Sequence, residues 1–270
     1  MDNRLMTSPA AEPVTADPPT LAMPVLMRQR WLDLSSVHWA VDPDVVAPFL
    51  PSGTRPDVLR GKTYVGLLPF RMVGAGVSTG PAMPWLGTFL ETNVRLYSVD
   101  ATGRRGVVFC SLDANRLAVV LGARTTFGLP YRWADMSYIR TPTSLGDEHS
   151  YTMRLRWPRV ADRAVSSRVV VRDRGPLQAH DDAELATFVS ARWGLHVQRR
   201  GRTWYIPNDH APWPLHRAEL VTLEDELVGV AGWPQLLDRA PDLVIYSPGV
   251  AVRFGRPCLA STPRRRPGRA

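Results

Sequence analysis

The body of this chain is a succession of about ten strand-like segments with only short helical stretches between them. Apolar and polar residues alternate along residues 28–41 (RQRWLDLSSVHWAV) and 89–99 (FLETNVRLYSV). A period of two is typical of a β-strand whose two faces meet different surroundings. There is no regular strand-helix-strand alternation and no glycine-rich dinucleotide or phosphate motif, which argues against a Rossmann-type fold. The pattern favours an antiparallel sheet that closes into a barrel or curls over helices.

The other segments fit this scheme. Strands are predicted over residues 62–73, 106–113, 131–139, 151–157, 167–172, 215–223 and 242–254, with a hairpin over residues 195–206 that turns near Gly201. Short helices are predicted over residues 43–51, 114–127, 181–193 and 223–232, the third of them capped by an aspartate. Because no repeat or linker divides these elements, residues 25–255 are predicted to form one mainly β (α+β) domain.

The two ends of the chain differ from the body in composition. Residues 1–24 are rich in Pro, Ala and small polar residues without apolar periodicity, so we expect a disordered tail. Residues 256–270 are predicted to be a second, basic disordered tail, and four arginines in its last ten residues supply half of the net charge of +8. Basic residues in the body are scattered singly, so nucleic acid is not an expected partner.

Metal, disulfide and membrane roles find no support in the sequence. The two cysteines, Cys110 and Cys258, form no disulfide framework, and the six histidines lack the paired spacing of a zinc site. No segment approaches the ~20 apolar residues of a membrane helix or resembles a signal peptide. We therefore expect a cytoplasmic protein with no cofactor, no metal and no membrane association, and unpaired strand edges would allow a homodimer.

One strand carries a row of polar side chains on a single face: Glu91, Asn93 and Arg95. This face is either solvated or lines the interior of a barrel, where a carboxylate, an amide and a guanidinium would meet a polar ligand. The next strand offers Asp113 in the same alternation, and Arg116 follows just past its end. Two carboxylates and two guanidiniums are therefore expected within reach of one another.

Five motifs in order resemble a widespread, largely uncharacterised bacterial domain family related to acetoacetate decarboxylase. The motifs are GKTYVGLLPFRM, the strand ETNVR, SLDANRLAVV, FGLPYRWADM and DHAPWPL, and the resemblance covers residues 28–250. It implies a cone-shaped antiparallel β-barrel with a central cavity and a few flanking short helices. Such a cavity would hold a small-molecule substrate.

Acetoacetate decarboxylase forms a Schiff base through a lysine whose pKa is lowered by a neighbouring lysine and by desolvation. Matching its hydrophobic-Gly-aromatic-Pro turn to residues 127–130 places Thr125 and Thr126 at the positions of the lysine pair. Threonine has no amine, so the resemblance implies a branch of the family without imine chemistry. The single lysine, Lys62, follows a turn and is interpreted as a solvated charge, which makes a Schiff base at Lys62 the weaker hypothesis.

The resemblance also assigns roles to other positions. Glu91 matches a glutamate of the decarboxylases and is the expected acid or base, and Arg116 corresponds to an arginine before the lysine pair. Arg95 or Arg116 would orient an oxyanion, with Asp113 as a second catalytic carboxylate. The candidate substrate contacts are Tyr64, Asn93, Thr125, Thr126, Tyr131, Trp133 and His210.

Three of these contacts also have structural interpretations. Tyr131 and Trp133 share a strand face and could be core aromatic residues instead of a ligand platform. His210 precedes a rigid Pro-Trp-Pro segment and could belong to a packed loop whose Trp213 fills the end of the barrel.

Two functions remain open. The first is a cofactor-free enzyme, a lyase, isomerase or cyclase of secondary metabolism, that isomerises, dehydrates or cyclises a carbonyl, enol or polyketide-like substrate. The second is a non-catalytic ligand-binding or sensor protein, which the absence of a complete catalytic triad favours.

Overall fold

A computed structural model of the protein describes residues 9–78, 80–160, 163–178 and 181–260. Residues 1–8 and 261–270, which belong to the two predicted tails, lie outside the described residues.

The described chain forms thirteen strands and four short α-helices. The strands are β1 (Met27–Val41), β2 (Thr54–Pro56), β3 (Thr63–Val77), β4 (Phe89–Asp100), β5 (Arg105–Ala114), β6 (Tyr131–Thr141), β7 (Glu148–Trp157), β8 (Ser166–Pro176), β9 (Gly194–Arg199), β10 (Arg202–His210), β11 (His216–Asp225), β12 (Leu243–Phe254) and β13 (Cys258–Leu259). The helices are α1 (Pro43–Val46), α2 (Leu117–Phe127), α3 (Ala183–Ser190) and α4 (Leu227–Val230), with 3-10 turns over Ala47–Phe49 and Pro234–Leu236. No helix in the described part of the chain is long and apolar enough to span a bilayer.

All thirteen strands belong to one sheet that curls back on itself. Pairing runs through β5, β6, β7, β8, β11, β12, β1, β3 and β4 and returns to β5, which defines the large ring. The small ring shares β12, β1, β3, β4 and β5 and is completed by β9 and β10. Some junctions are short, since β5 meets β9 only through Val107 and Leu195, so the rings are partly closed. The predicted mainly β barrel with short flanking helices is confirmed.

Two strand pairings are parallel, β5 with β6 and β5 with β9, although the sequence predicts an antiparallel sheet. The reason for the first is helix α2, which connects β5 to β6, because a helical crossover returns the chain in its original direction. The other pairings between named strands are antiparallel, as the strand-and-turn pattern predicts.

The strands that the rings share separate two cores. Val37, Trp39, Val94 and Leu96 pack into the apolar core of the large ring, where Leu227 of α4 joins them. On the other face of these shared strands lie the aromatic and aliphatic residues of the small ring, which α2 and α3 cover. Because side chains alternate along a strand, neighbouring residues of β4 enter different cores.

All four α-helices are shorter than predicted, and for α2 and α4 the reason is local. Helix α2 begins at Leu117 and not at residue 114, because Ala114 still pairs with Glu91 in the sheet. The predicted helix over residues 223–232 shrinks to α4, since β11 continues to Asp225, whose carboxylate accepts from the Val228 N–H at 2.9 Å.

The described parts of both predicted tails contact the domain. The Glu12 N–H donates to the Gly103 carbonyl at 2.9 Å, and the Arg105 N–H donates to the Glu12 carboxylate at 2.8 Å. At the other end, Cys258 and Leu259 pair with β10 as β13. Composition does not detect segments that find hydrogen-bond partners on a neighbouring loop, or a single apolar side chain such as Val14 that packs against the small-ring core.

Candidate functional site

Glu91 and Asn93 are buried on the β4 face that belongs to the small ring. Their exposed fractions are 3% and 4%. Their partners across β3 are Phe70 and Leu68, which belong to the apolar core beneath α2. The structure therefore excludes a solvated position for Glu91 and Asn93.

The Glu91 carboxylate is paired with a phenol. The Tyr131 hydroxyl donates to Glu91 Oε2 at 2.7 Å, and the Asn93 side chain also hydrogen-bonds the carboxylate. Tyr131 reaches this position because β6 joins β5 with Tyr131 beside Leu112, on the same face as Asn93.

Burial decides the proton affinity of this pair. Loss of solvation raises the pKa of Glu91 to about 7, against the opposing effect of the hydrogen bonds from Tyr131 and Asn93. Burial and the adjacent Glu91 hold the pKa of Tyr131 well above its usual value, so the phenol stays protonated. Glu91 can therefore accept or donate a proton near neutral pH.

Arg95 lies further along the same face and is held by neutral acceptors. Its Nε donates to the Tyr97 hydroxyl at 3.0 Å, and one Nη donates to the Val189 carbonyl at 2.8 Å. No carboxylate among the described residues forms an ion pair with this half-buried guanidinium. Its charge therefore remains available to an anionic ligand.

A buried histidine, His38, hydrogen-bonds the same Tyr97 hydroxyl that accepts from Arg95. This residue is not among the site residues predicted from the sequence. His38 Nε2 lies 2.6 Å from the Tyr97 hydroxyl. Burial, followed by the nearby Arg95, lowers the pKa of His38 well below its usual value, so the imidazole is neutral. The strand glycine Gly66 makes room for this ring, because a Cβ there would lie 2.7 Å from His38 Nε2. A glycine inside a strand is the signal that could have indicated this close approach.

Asp113 does not share the face of Glu91, which corrects the sequence expectation. In β4 and β5 the register shifts between Val94 and Arg95, and the resulting bulge reverses the alternation in β5. Asp113 therefore lies opposite Thr92 and forms a two-point ion pair with Arg132, with both nitrogen-oxygen distances at 2.8 Å.

Arg116 follows β5, as predicted, and lies under an exposed aromatic ring. Its guanidinium carbon is 4.5 Å from the centroid of the Trp85 ring, and Trp85 is 69% exposed. The Nε atom of Arg116 is buried without a hydrogen-bond partner in the described structure. Arg116 therefore has an unused donor.

Thr125 and Thr126 are exposed in the last turn of α2, away from the buried pair. The Thr125 hydroxyl donates to the Leu121 carbonyl of its own helix at 2.9 Å. Gly128 ends the helix with a φ of 71°, and the chain enters the sheet only after this turn. The residue that meets Glu91 is consequently Tyr131, which follows the turn, and not the threonine pair that precedes it.

Lys62 is likewise remote from the buried acid. It is half-exposed and forms an ion pair with Asp42 at 2.6 Å. Among the described residues no three His, Cys, Asp or Glu side chains group as metal ligands.

The remaining candidates lie in the cores of the small ring. Tyr64 packs against Phe188 of α3, with ring centroids 5.7 Å apart, and Trp133 packs beside the residues around Glu91. His210 is buried, and its Nδ1–H donates to the Ala211 carbonyl at 2.7 Å. Burial lowers the pKa of His210, so this imidazole is neutral as well.

The partly closed β-sheet with its two rings and few short helices has the fold of acetoacetate-decarboxylase-like proteins. The acetoacetate decarboxylase-like enzyme from Sphingomonas wittichii has this fold, with a TM-score of 0.60, 11% identity and coverage of 89% of this chain and 95% of that one. The enduracididine biosynthesis enzyme MppR complexed with pyruvate gives a TM-score of 0.56 at 16% identity, over 89% of this chain and 92% of that one. Acetoacetate decarboxylase from Legionella pneumophila gives a TM-score of 0.53 at 14% identity, over 95% of this chain and 93% of that one.

The chain belongs to the DUF2071 family, described as an uncharacterized conserved protein, whose model matches residues 28–251. The uncharacterized protein YqjF of Bacillus subtilis is 32% identical over 194 residues, which are 72% of this chain and 76% of that protein. The resemblance indicated by the five sequence motifs is thereby confirmed.

Proposed function

We propose that the protein binds a small carbonyl-bearing molecule in the small ring and moves a proton on it without a cofactor. The observation that carries this proposal is the buried Glu91 carboxyl, whose pKa is raised to about 7 while Tyr131 donates to it at 2.7 Å. A general acid or base is most effective when its pKa lies near the working pH. Isomerisation, dehydration or cyclisation through an enol all need such a group.

Arg95 supplies the second requirement of enol chemistry. When a proton leaves the carbon beside a carbonyl, negative charge develops on the carbonyl oxygen, and a fixed cation stabilises it. Arg95 is held by the Tyr97 hydroxyl and the Val189 carbonyl, and no carboxylate in the described part of the chain neutralises it. Arg116, with an unpartnered Nε, is the second candidate for this role.

A covalent route through an imine is not part of the proposal. The single lysine of the chain, Lys62, is paired with Asp42 at the surface, and the group beside Glu91 is a phenol. The pyruvate complex of MppR supports a carbonyl compound as the ligand class, although at 16% identity that likeness concerns the fold.

The test compares wild type with Glu91→Gln, which keeps an oxygen acceptor for Tyr131 but cannot move the proton. The probe is 2,4-dihydroxyacetophenone in D₂O, and proton NMR follows deuterium exchange at its acetyl methyl group. We expect wild type to accelerate exchange and the variant to lose about 100-fold of that acceleration. Asp135→Asn, the same chemical change at an exposed position of β6, should keep the wild-type rate. Equal rates in wild type and Glu91→Gln would exclude Glu91 as the acid or base.

A non-catalytic binding protein is the alternative, and one observation favours it. Glu91 and Arg95 are already held by Tyr131, Tyr97 and the Val189 carbonyl, which suits a rigid ligand-binding wall as well as a catalytic one. A probe that binds wild type with no acceleration of exchange would support this alternative.

A further inference from the structure

A row of aromatic rings crosses the small ring toward Glu91. Successive centroid distances are 4.5 Å from Trp193 to His210, 5.2 Å from His210 to Trp213 and 6.0 Å from Trp213 to Trp31. Trp31 then lies 5.8 Å from Phe70, which is the partner of Glu91 across β3 and β4. We call Trp193, His210, Trp213 and Trp31 the aromatic row.

The three tryptophans of the aromatic row have buried N–H groups without partners. The Nε1 atoms of Trp31, Trp193 and Trp213 are buried and form no hydrogen bond within the described structure. Asn93 Oδ1, beside Glu91, is a buried acceptor in the same condition, on a side chain that is 4% exposed. Native interiors pair the great majority of such groups, so several unpaired ones near one site indicate an occupant that completes them.

The aromatic row is accessible at one end, and the nearest charge to it on the β4 face is positive. Trp31 and Trp213 are only partly buried, so the row reaches the surface of the barrel there. His210 is uncharged, because burial lowers its pKa and its Nδ1–H is occupied by the Ala211 carbonyl. The nearest cation on the β4 face is Arg95, which has no carboxylate partner among the described residues.

The unused groups specify a ligand. Indole N–H groups require acceptor atoms, Asn93 Oδ1 requires a donor such as a hydroxyl, and the flat faces of the partly buried Trp31 and Trp213 favour a flat conjugated partner. Resting on the proposed function, we infer that the ligand is a planar, conjugated hydroxy-ketone of the aromatic or polyketide type, whose oxygens accept from the aromatic row. A short aliphatic keto acid has no flat ring to cover the indole faces and no hydroxyl donor for Asn93 Oδ1.

Indole resonances test this inference directly. The chain has nine tryptophans, and their N–H signals in ¹⁵N-labelled protein are assigned with Trp→Phe variants. Titration with 2,4-dihydroxyacetophenone should shift the signals of Trp31, Trp193 and Trp213, while acetoacetate at equal concentration should leave them in place. The inference is overturned if acetoacetate shifts them equally, or if the phenone shifts none of them.

Trp233 provides a matched control. Its Nε1 is also buried and has no partner among the described residues, but it lies in the apolar core of the large ring, against Phe49. Trp213→Phe keeps an aromatic face, although a smaller one, and removes the donor, so the Kd for the phenone should rise about 5- to 10-fold. Trp233→Phe should leave that Kd unchanged. Trp31→Phe serves as a second donor deletion should Trp213→Phe fold poorly, and an unchanged Kd in the folded variant would refute the role of the indole donors.

The proposed function and this inference fail in different ways. Glu91→Gln should bind the phenone within about threefold of wild type, because its uncharged amide leaves the indole donors untouched. Indole shifts without any acceleration of exchange would overturn the proposed proton transfer and leave the ligand assignment standing. Accelerated exchange without indole shifts would overturn the ligand assignment alone.

Discussion

The two faces of β4 show how one strand can serve stability on one side and chemistry on the other. Val94 and Leu96 enter the core of the large ring and are fully buried among aliphatic and aromatic residues. Glu91, Asn93 and Arg95 alternate with them and enter the small ring, where they form hydrogen bonds to Tyr131, Tyr97 and each other. An apolar core stabilises through burial, whereas buried ionisable groups lower stability unless they are fully paired. The small ring therefore retains groups that stability alone would not select.

Truncation in the large ring should have the largest effect on stability. Trp39 is fully buried in that core, so Trp39→Ala is expected to lower the free energy of unfolding by about 4 kcal/mol through lost burial and a residual cavity. Urea unfolding measures the change. A loss below about 1 kcal/mol would contradict the view that the large ring is the stabilising core.

Ionisation of Glu91 should have the next largest effect. The pKa of Glu91 is raised from 4.5 to about 7 in the folded protein, so the folded state binds more protons than the unfolded state between these values. Stability then falls as pH rises through this window, by about 3 kcal/mol from this group, and is level above it. Unfolding of wild type and Glu91→Gln at pH 4.5 to 8 isolates the effect, because the variant lacks this titration. Parallel curves for the two proteins would show that Glu91 does not titrate in this range.

Loss of the Tyr131 hydroxyl should have a smaller effect. Tyr131→Phe removes the donor to Glu91 and is expected to lower stability by about 1 kcal/mol at neutral pH. The same hydrogen bond holds the pKa of Glu91 down, so that pKa should rise further in the variant. Carboxyl carbon NMR follows the titration. A pKa of Glu91 that falls in Tyr131→Phe would mean that the phenol does not donate to the carboxylate.

Replacement of the threonine pair should have the smallest effect. Thr125 is exposed and its hydroxyl is satisfied within α2, so Thr125→Ala should change stability by less than about 0.5 kcal/mol. The Kd for 2,4-dihydroxyacetophenone should also be unchanged, and fluorescence titration measures it. A clear loss of affinity in Thr125→Ala would show that Thr125 contacts the ligand.

Much of the fold was accessible from the sequence because its signals are local. Alternation of apolar and polar residues predicts strands wherever the chain adopts a period of two, and a glycine indicates where it must turn. The hairpin near Gly201 is an example, since Arg200 and Gly201 have φ values of 50° and 72° and join β9 to β10. The motifs indicated the acetoacetate decarboxylase-like resemblance for the same reason, because each motif is a short local pattern and their order along the chain is fixed.

The site needed information that no local pattern contains. Alternation places Glu91 and Val94 on opposite faces of β4, but it does not tell which face α2 and α3 will cover, because that depends on pairing between distant strands. One bulge in β5 was enough to move Asp113 to the other face, and one helical crossover brought Tyr131 to Glu91 in place of the threonines. The sequence by itself determined the strands, the turns, the family and the lack of an amine near Gly128. Only the tertiary structure decided which polar groups are buried together, since register and crossover direction are set by contacts far apart in the chain.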